Sequence, residues 1–289
     1  MSKIAVIGIA GESVFLSLES FGKTGETTVA KDYHCELGGK GFNQAVAIAK
    51  FGVEVSFLGA SYKEDVKRFT EIAEQFGVKS FFVGKDERSP YAVIMTDSRG
   101  DNRVCVYHGA KLEEMDVEAF NEEIKSSDIL LISNETPYGV NKKAIELAKA
   151  NGVRVILNPA PARAYDKEFL DSVFLFTPNE HETEGLEDYK NVIVTLGDEG
   201  CLCREKGEIF PAKKISSVVD TTGAGDTFNG ILAACISNGE DIASACQKAN
   251  SGAAIKVGRK YILNSIPTKN EIEIFMEEEN GQNLFFENR

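Results

Sequence analysis

Short apolar runs alternate with helically spaced ones along most of the chain. The pattern predicts strands over 3–9, 53–59, 80–84, 91–96, 103–108, 128–133, 153–158, 173–176, 191–196, 201–204 and 208–210. It predicts helices over 40–51, 64–76, 113–126, 138–150, 225–238 and 240–256. Ile129-Leu130-Leu131-Ile132 and Val153-Arg154-Val155-Ile156-Leu157 are almost continuously apolar, as strands buried on both faces should be. Between them, residues 138–150 read as a crossover helix ending at Gly152. Strand, helix and strand in about thirty residues make a βαβ unit, so the expected class is α/β with a mostly parallel central sheet. Residues 12–36 and 88–108 break the rhythm by alternating polar with β-branched or aromatic side chains, the mark of strands with one wet face. They predict a small antiparallel flap on an α/β body formed by 1–11, 37–87 and 109–276. The acidic, polar stretch 277–289 reads as a frayed tail.

Composition narrows the classes. With 43% hydrophobic and 27% charged residues in 289, the chain can bury a sizeable core and is not of a disordered type. The 45 acidic against 32 basic residues give a formal charge of −13 and no Lys/Arg-rich run, so nucleic acid is not expected as a partner. No apolar run approaches the roughly twenty residues of a membrane span, and the start lacks the features of a signal peptide. The six cysteines contain no CxxC pair and read as reduced thiols of a cytoplasmic protein. Cys201 and Cys203 share a strand face, but only three histidines exist to complete a metal site, so zinc is not expected. In a cytoplasmic chain the sequon Asn134-Glu135-Thr136 is a chance match.

Two glycine-rich runs carry the chemistry. In Asp220-Thr221-Thr222-Gly223-Ala224-Gly225-Asp226 the glycines sit where a loop turns into a helix whose buried face is Phe228, Ile231, Leu232, Cys235 and Ile236. Free amides and the helix dipole at such a start attract an anion. Asp226 in the first turn would lie beside that anion, placed to take a proton from a hydroxyl attacking a phosphate. The plainer alternative is that Asp226 caps the helix. The second run, Gly38-Gly39-Lys40-Gly41-Phe42-Asn43-Gln44, makes a tight turn before another helix, with Lys40 and Asn43 able to orient a polyol. Neither run is a Walker A sequence, and no protein-kinase signature set is present.

With these two runs, Leu157-Asn158-Pro159-Ala160-Pro161-Ala162-Arg163, Thr177-Pro178-Asn179-Glu180 and Thr195-Leu196-Gly197 follow in order, and over residues 3–276 the chain resembles the ribokinase-like (PfkB) family of ATP-dependent sugar kinases. The resemblance implies a three-layer αβα sandwich with a β-sheet lid, and transfer of the ATP γ-phosphate to a hydroxymethyl group of a small carbohydrate. It implies Asp226 as general base, with Gly223, Ala224 and Gly225 as the anion hole. It implies Gly11, Ser13, Gly38, Gly39, Lys40, Asn43 and Glu135 on the sugar. For the nucleotide it implies Asn179, Thr195, Gly197, Gly200, Gly225 and Asn250, and for Mg²⁺, mostly through water, Asn179 and Glu182. A candidate K⁺ site falls on Asp220, Thr222, Arg259 and Ser265, with Tyr261 where the family usually has glycine.

One departure bears on the substrate. Gly11 and Ser13 stand where ribokinases carry Asn and Asp, the latter gripping the sugar's secondary hydroxyls, so a sugar other than free ribose is expected as best acceptor. The segment 183–190 is also short, as though a helix near the nucleotide were missing. The alternatives are a nucleoside or pseudouridine kinase of the same fold and a non-catalytic sugar or nucleotide sensor. A dinucleotide-dependent oxidoreductase is disfavoured because no Gly-x-Gly-x-x-Gly follows the first strand. Flap strands leave edges that a twofold partner could cover, so a homodimer through the lid is a further expectation.

Overall fold

The computed structural model describes residues 2–99 and 101–277. These form β1 (Lys3–Ile7), β2 (Gly11–Ser17), β3 (Asp32–Gly38), α1 (Lys40–Lys50), β4 (Glu54–Tyr62), α2 (Val66–Gln75), β5 (Lys79–Lys85), β6 (Tyr91–Thr96) and β7 (Asn102–Tyr107). They continue with α3 (Glu114–Ala119), α4 (Asn121–Lys125), β8 (Ile129–Ser133), α5 (Tyr138–Ala150), β9 (Arg154–Asn158), α6 (Lys167–Asp171), β10 (Leu175–Phe176) and β11 (Ile193–Thr195). The last elements are β12 (Cys201–Cys203), β13 (Glu208–Phe210), α7 (Ala224–Ser237), α8 (Ile242–Val257) and α9 (Lys269–Glu277).

The central sheet is parallel, in the order β10-β9-β8-β1-β4-β5. Its middle strands are the apolar runs: every residue of Ile129–Ile132 is fully buried, between β1 and β9. One apolar cluster packs α1, α7 and α8 on one face, and a second packs α3, α4 and α5 on the other. Isolated parallel bridges Phe176–Val192 and Asn179–Thr195 lead on to the small antiparallel sheet β11-β12-β13. Among the described residues no helix is long and apolar enough to cross a membrane.

A separate four-stranded sheet, β3-β2-β6-β7, covers one end of the molecule. It is antiparallel at β2–β3 and β6–β7 but parallel at β2–β6, so the flap is mixed where purely antiparallel pairing was expected. The reason is topological: β3, α1, β4, α2 and β5 lie between β2 and β6 in the chain, so no hairpin links them. The helix expected over 113–126 is broken at Phe120, whose buried ring packs edge-on against Phe81 at 5.2 Å. The short α6 and the terminal α9 had no counterpart in the sequence reading. Residues 183–192 form turns without a helix, pinned by the buried Leu186 and by Tyr189 against Phe176. Of the tail expected to fray, Glu277 closes α9 and the rest lies outside the described residues.

The tightest helix contact sets the site. At Gly230 of α7 a Cβ would meet Gln44 O at 2.5 Å and Ala47 Cβ at 2.6 Å, so α7 and α1 touch almost backbone to backbone. Gly230→Val is therefore expected to lower unfolding free energy by roughly 1–3 kcal/mol, because neither contact can yield without moving a helix. Urea denaturation checks this, and an unchanged midpoint would refute the close approach.

Candidate active site

The start of α7 is built by Asp220. Its Oδ1 accepts the Thr222 amide at 2.9 Å and its Oδ2 the Tyr261 amide at 3.1 Å, fixing the turn before the helix. Gly223 follows as the N-cap at φ 78°, a left-handed conformation that a side chain would oppose. No side chain caps this helix, and of its first-turn amides that of Ala224 donates back to Thr221 O at 3.2 Å. Asp226 is not the cap. Its carboxylate, 8% exposed, accepts Asn43 Nδ2 at 2.8 Å through Oδ2 and Gln44 Nε2 at 3.3 Å through Oδ1. Gln44 Nε2 also faces Asn158 Oδ1 at 3.3 Å, and Asn158 Nδ2 donates to Thr177 O at 2.8 Å. The α7 carboxylate is thus aimed by a chain of amides from α1 and the end of β9.

The start of α1 supplies the opposite wall. Gly39 is its N-cap at φ 108°, and the Lys40 amide donates to Glu135 Oε2 at 2.8 Å in the turn after β8. Asp226's charge, helped by Glu135 and Glu182, holds the Lys40 ammonium above its ordinary pKa against the opposing effect of burial. Burial pushes the Glu135 carboxyl up to about 7; Asp226 adds to this, while Lys40's charge and amide oppose it. Asn43 Oδ1, Gln44 Oε1 and Asn229 Oδ1 are buried acceptors with no protein partner. Such atoms are costly unless a ligand or water meets them.

A cavity of about 260 Å³ opens over these groups, lined by Lys40, Asn158, Asn179, Glu182, Thr195 and Asp226 and floored by Gly223 and Gly225. A second hollow of about 600 Å³ lies on the Glu135 side, between Ile9, Val106, His108, Leu112 and Arg163. The Lys40–Glu135 bond joins the walls of the two.

Other residues singled out in the sequence fall around this centre. Asn179 and Glu182 cap each other reciprocally: Asn179 Oδ1 accepts the His181 amide at 2.8 Å and Glu182 Oε2 the Asn179 amide at 3.0 Å. Ser13 is buried and its Oγ packs on Gly38, without lining either cavity. Asn250 donates to Phe210 O at 2.7 Å, and Gly200 lies against the same stretch of backbone, so both shape the end of β13 rather than face the cavity. Gly197 turns the chain after β11 at φ 59°. Arg259 bonds Ser265 O at 3.3 Å and Glu271 at 2.5 Å. Asn134 of the sequon is buried. Among the described residues no cluster of three or more His, Cys, Asp or Glu side chains could hold a metal.

The structure adds residues that the sequence reading left without a role. Gln44 follows Asn43 directly, Asn158 stands in the Leu157–Arg163 motif, and Asn229 donates to Gly225 O at 2.8 Å from one turn along α7. Lys256 is fully buried, and burial pushes its ammonium down to about 8 while Asp220, Glu36 and Asp226 oppose the shift.

Comparison with known proteins gives this geometry its context. The model of the pfkB family of carbohydrate kinases matches residues 1–269. A ribokinase of Haemophilus influenzae is 32% identical over 300 residues, covering 95% of this chain and 98% of its own. A deoxyribokinase of Salmonella typhi is 31% identical over 294 residues, covering 92% and 95%. The solved structure of an Arabidopsis thaliana ribokinase with ribose and ATP superposes with a TM-score of 0.82 at 27% identity, covering 96% of this chain and 99% of that one. Family match, full-length relatives and a shared fold agree: the chain belongs to the pfkB family of carbohydrate kinases, phosphotransferases acting on a sugar.

Proposed function

We propose that this chain transfers the γ-phosphoryl group of ATP to a hydroxymethyl group of a small sugar of the pentose class, with Asp226 as general base. The observation that carries the reading is the Asp226 carboxylate, fixed by Asn43 and Gln44 beside the uncapped start of α7. Asp226 takes the hydroxyl proton as the sugar oxygen bonds to the γ-phosphorus and the bond to the ADP oxygen breaks. The amides at Gly223, Ala224 and Gly225 stabilise the charge that develops on the transferring group. Lys40, Asn43 and Glu135 hold the sugar, with the unpartnered Asn43 Oδ1 ready to accept a hydroxyl. Asn179, Thr195 and Gly197 face the nucleotide, with Gly200 and Asn250 shaping that wall. The donor set suits Mg²⁺ held mainly by water and phosphate, because Asn179 and Glu182 line the cavity but form no all-protein cage. Bound there, Mg²⁺ neutralises phosphate charge.

The β3-β2-β6-β7 sheet, with residues 12–36 and 88–108, is proposed as the lid. Its exposed Tyr33, Val104 and Tyr107 support the reading that a second copy covers it. A nucleoside kinase is favoured by one feature, the hollow of about 600 Å³ with apolar walls beside Glu135, which leaves room for a base on the sugar. A non-catalytic sensor has no need of the amide chain that aims Asp226.

Relatives named ribokinase do not fit the expectation that a sugar other than free ribose is the best acceptor, whereas a relative named deoxyribokinase does not speak against it. The structure accounts for the substitution itself: a side chain on Gly11 would strike Pro90 O, where the Glu12 amide binds at 3.0 Å, so no Asn fits at that position. Ser13 offers a hydroxyl in place of a carboxylate. The outcome proposed is that ribose is accepted but weakly discriminated from 2-deoxyribose.

Three outcomes test this. Asp226→Asn is expected to cut kcat by on the order of 10²–10⁴ with ATP affinity nearly unchanged; a variant that retained turnover would remove Asp226 from the base's role. In an ADP-release assay over a panel of sugars and nucleosides, kcat/KM for ribose and 2-deoxyribose should agree within about tenfold, a difference of about 1.4 kcal/mol. A preference for ribose above about 10²-fold would show that the diol is gripped without the missing Asp, and a nucleoside as best acceptor would favour the second reading. Because Glu135 ionises near 7 and its carboxylate is the better acceptor, sugar affinity should rise as pH climbs through that value. Calorimetry without ATP, on the wild type and Glu135→Gln, checks this; an equally steep profile in both would assign the titration elsewhere.

A further inference from the structure

Lys256 ends in the region where the family resemblance put a monovalent cation. Its Nζ, on a fully buried side chain near the C-terminus of α8, donates to Asp220 O at 2.8 Å and lies 3.8 Å from Asp220 Oδ2. Glu36 and Asp226 also act on this ammonium. The segment it holds is the root of the anion hole: the Val219 and Asp220 amides both donate to Val257 O, at 2.7 and 3.1 Å, and Asp220 in turn shapes the approach to Gly223.

The loop that would complete a cation cage is already engaged. Six consecutive carbonyls, from Tyr261 to Ile266, each accept a protein donor. Ser265 Oγ bonds those of Tyr261 and Ile262, Lys50 Nζ those of Leu263, Asn264 and Ile266, and Arg259 that of Ser265. A carbonyl can accept twice, so the decisive obstacle is charge. A second unit charge within about 4 Å of the ammonium would meet repulsion of about 4 kcal/mol at an effective dielectric of ~20. K⁺ binding depends on a ring of carbonyls that replaces its water, and here Lys50, Lys256 and Arg259 have taken their share. The residues do not fit a K⁺ ion.

We infer that Lys256 is a built-in monovalent cation: its ammonium stands where K⁺ would stand, positions the 220–225 loop for phosphoryl transfer, and makes the protein indifferent to K⁺. Lys256 touches neither substrate nor reacting atoms and acts through Asp220. The inference concerns the proposed kinase site, and it is tested by binding as well as by rate.

The first arm uses the wild type without substrate: melting temperature in KCl, NaCl and tetramethylammonium chloride at equal ionic strength of about 0.1 M. The expected result is no K⁺-specific shift, and a K⁺-specific rise would overturn the inference even if no sugar were ever turned over. The second arm measures kcat and KM in the same salts. Rates should agree within about twofold, whereas activation by K⁺ of about tenfold would overturn it. The third uses Lys256→Ala, expected to lose on the order of 10–10² in kcat with little change in sugar KM. K⁺, NH₄⁺ or methylammonium should restore part of this, and K⁺ should raise the variant's melting temperature. A folded variant that no cation rescues would reduce Lys256 to a packing residue. If the variant does not fold, the two wild-type arms still decide. Absence of turnover on every sugar and nucleoside would count against the kinase reading and leave the melting result standing.

Discussion

The site depends on one steric constraint, the near contact of α1 and α7 at Gly230. Asn43 and Gln44 are 183 and 182 residues from Asp226 in sequence, and they reach its carboxylate only because the helix backbones approach without a side chain between them. The packing that buries Phe228, Ile231 and Leu232 against α1 and α8 also brings the two glycine-rich helix starts to the same cavity. Core and site share this cause: moving α7 outward by a methyl group would loosen the amides that aim the Asp226 carboxylate.

How an acidic chain handles a polyphosphate follows from the same arrangement. In the proposed reaction the anion is met by backbone amides at an uncapped helix start and by one lysine, rather than by a basic surface. Lys40 is kept charged by the carboxylates around it, and Glu135 is kept partly neutral by burial and by Asp226. The two carboxylates are held differently: Asp226 accepts two side-chain amides, whereas Glu135 accepts one backbone amide. The formal charge of −13 disfavours a polyanionic partner without bearing on a single nucleotide.

Much of this was legible in the sequence because it rests on local signals. The runs at Ile129–Ile132 and Val153–Leu157 announced buried parallel strands, and the glycines at 38–41 and 223–225 announced two helix starts, which meet at one cavity. What local signals cannot carry is who meets whom. Gln44, Asn158 and Asn229 earn their places through contacts across the fold, and an isolated amide residue looks alike at a surface and in a buried network. Asn250 shows the converse, a motif position whose amide spends its donor on Phe210. The parallel β2–β6 pairing was hidden for the same reason, since period-two alternation marks a strand but not the direction of its neighbour.

Tyr261 shows how a departure from the family pattern can be absorbed. Where a glycine is usual, this tyrosine adopts φ 64°, a conformation that is strained for a bulky residue. It is held there on every side: its amide by Asp220, its ring stacked 3.7 Å from His34 and edge-on to Phe15, its hydroxyl 3.3 Å from Asp32. The next two amides, of Ile262 and Leu263, bind the carboxylate of Glu36. His34, Phe15, Asp32 and Glu36 all belong to β2 and β3 of the flap, whereas Asp220 belongs to the turn before α7. The loop from Arg259 to Ser265 thus ties the β3-β2-β6-β7 sheet to the turn before α7. Backbone amides make much of that tie. The Tyr261 ring and hydroxyl add contacts to Phe15, His34 and Asp32 that glycine could not supply, with the strain at Tyr261 as the local consequence.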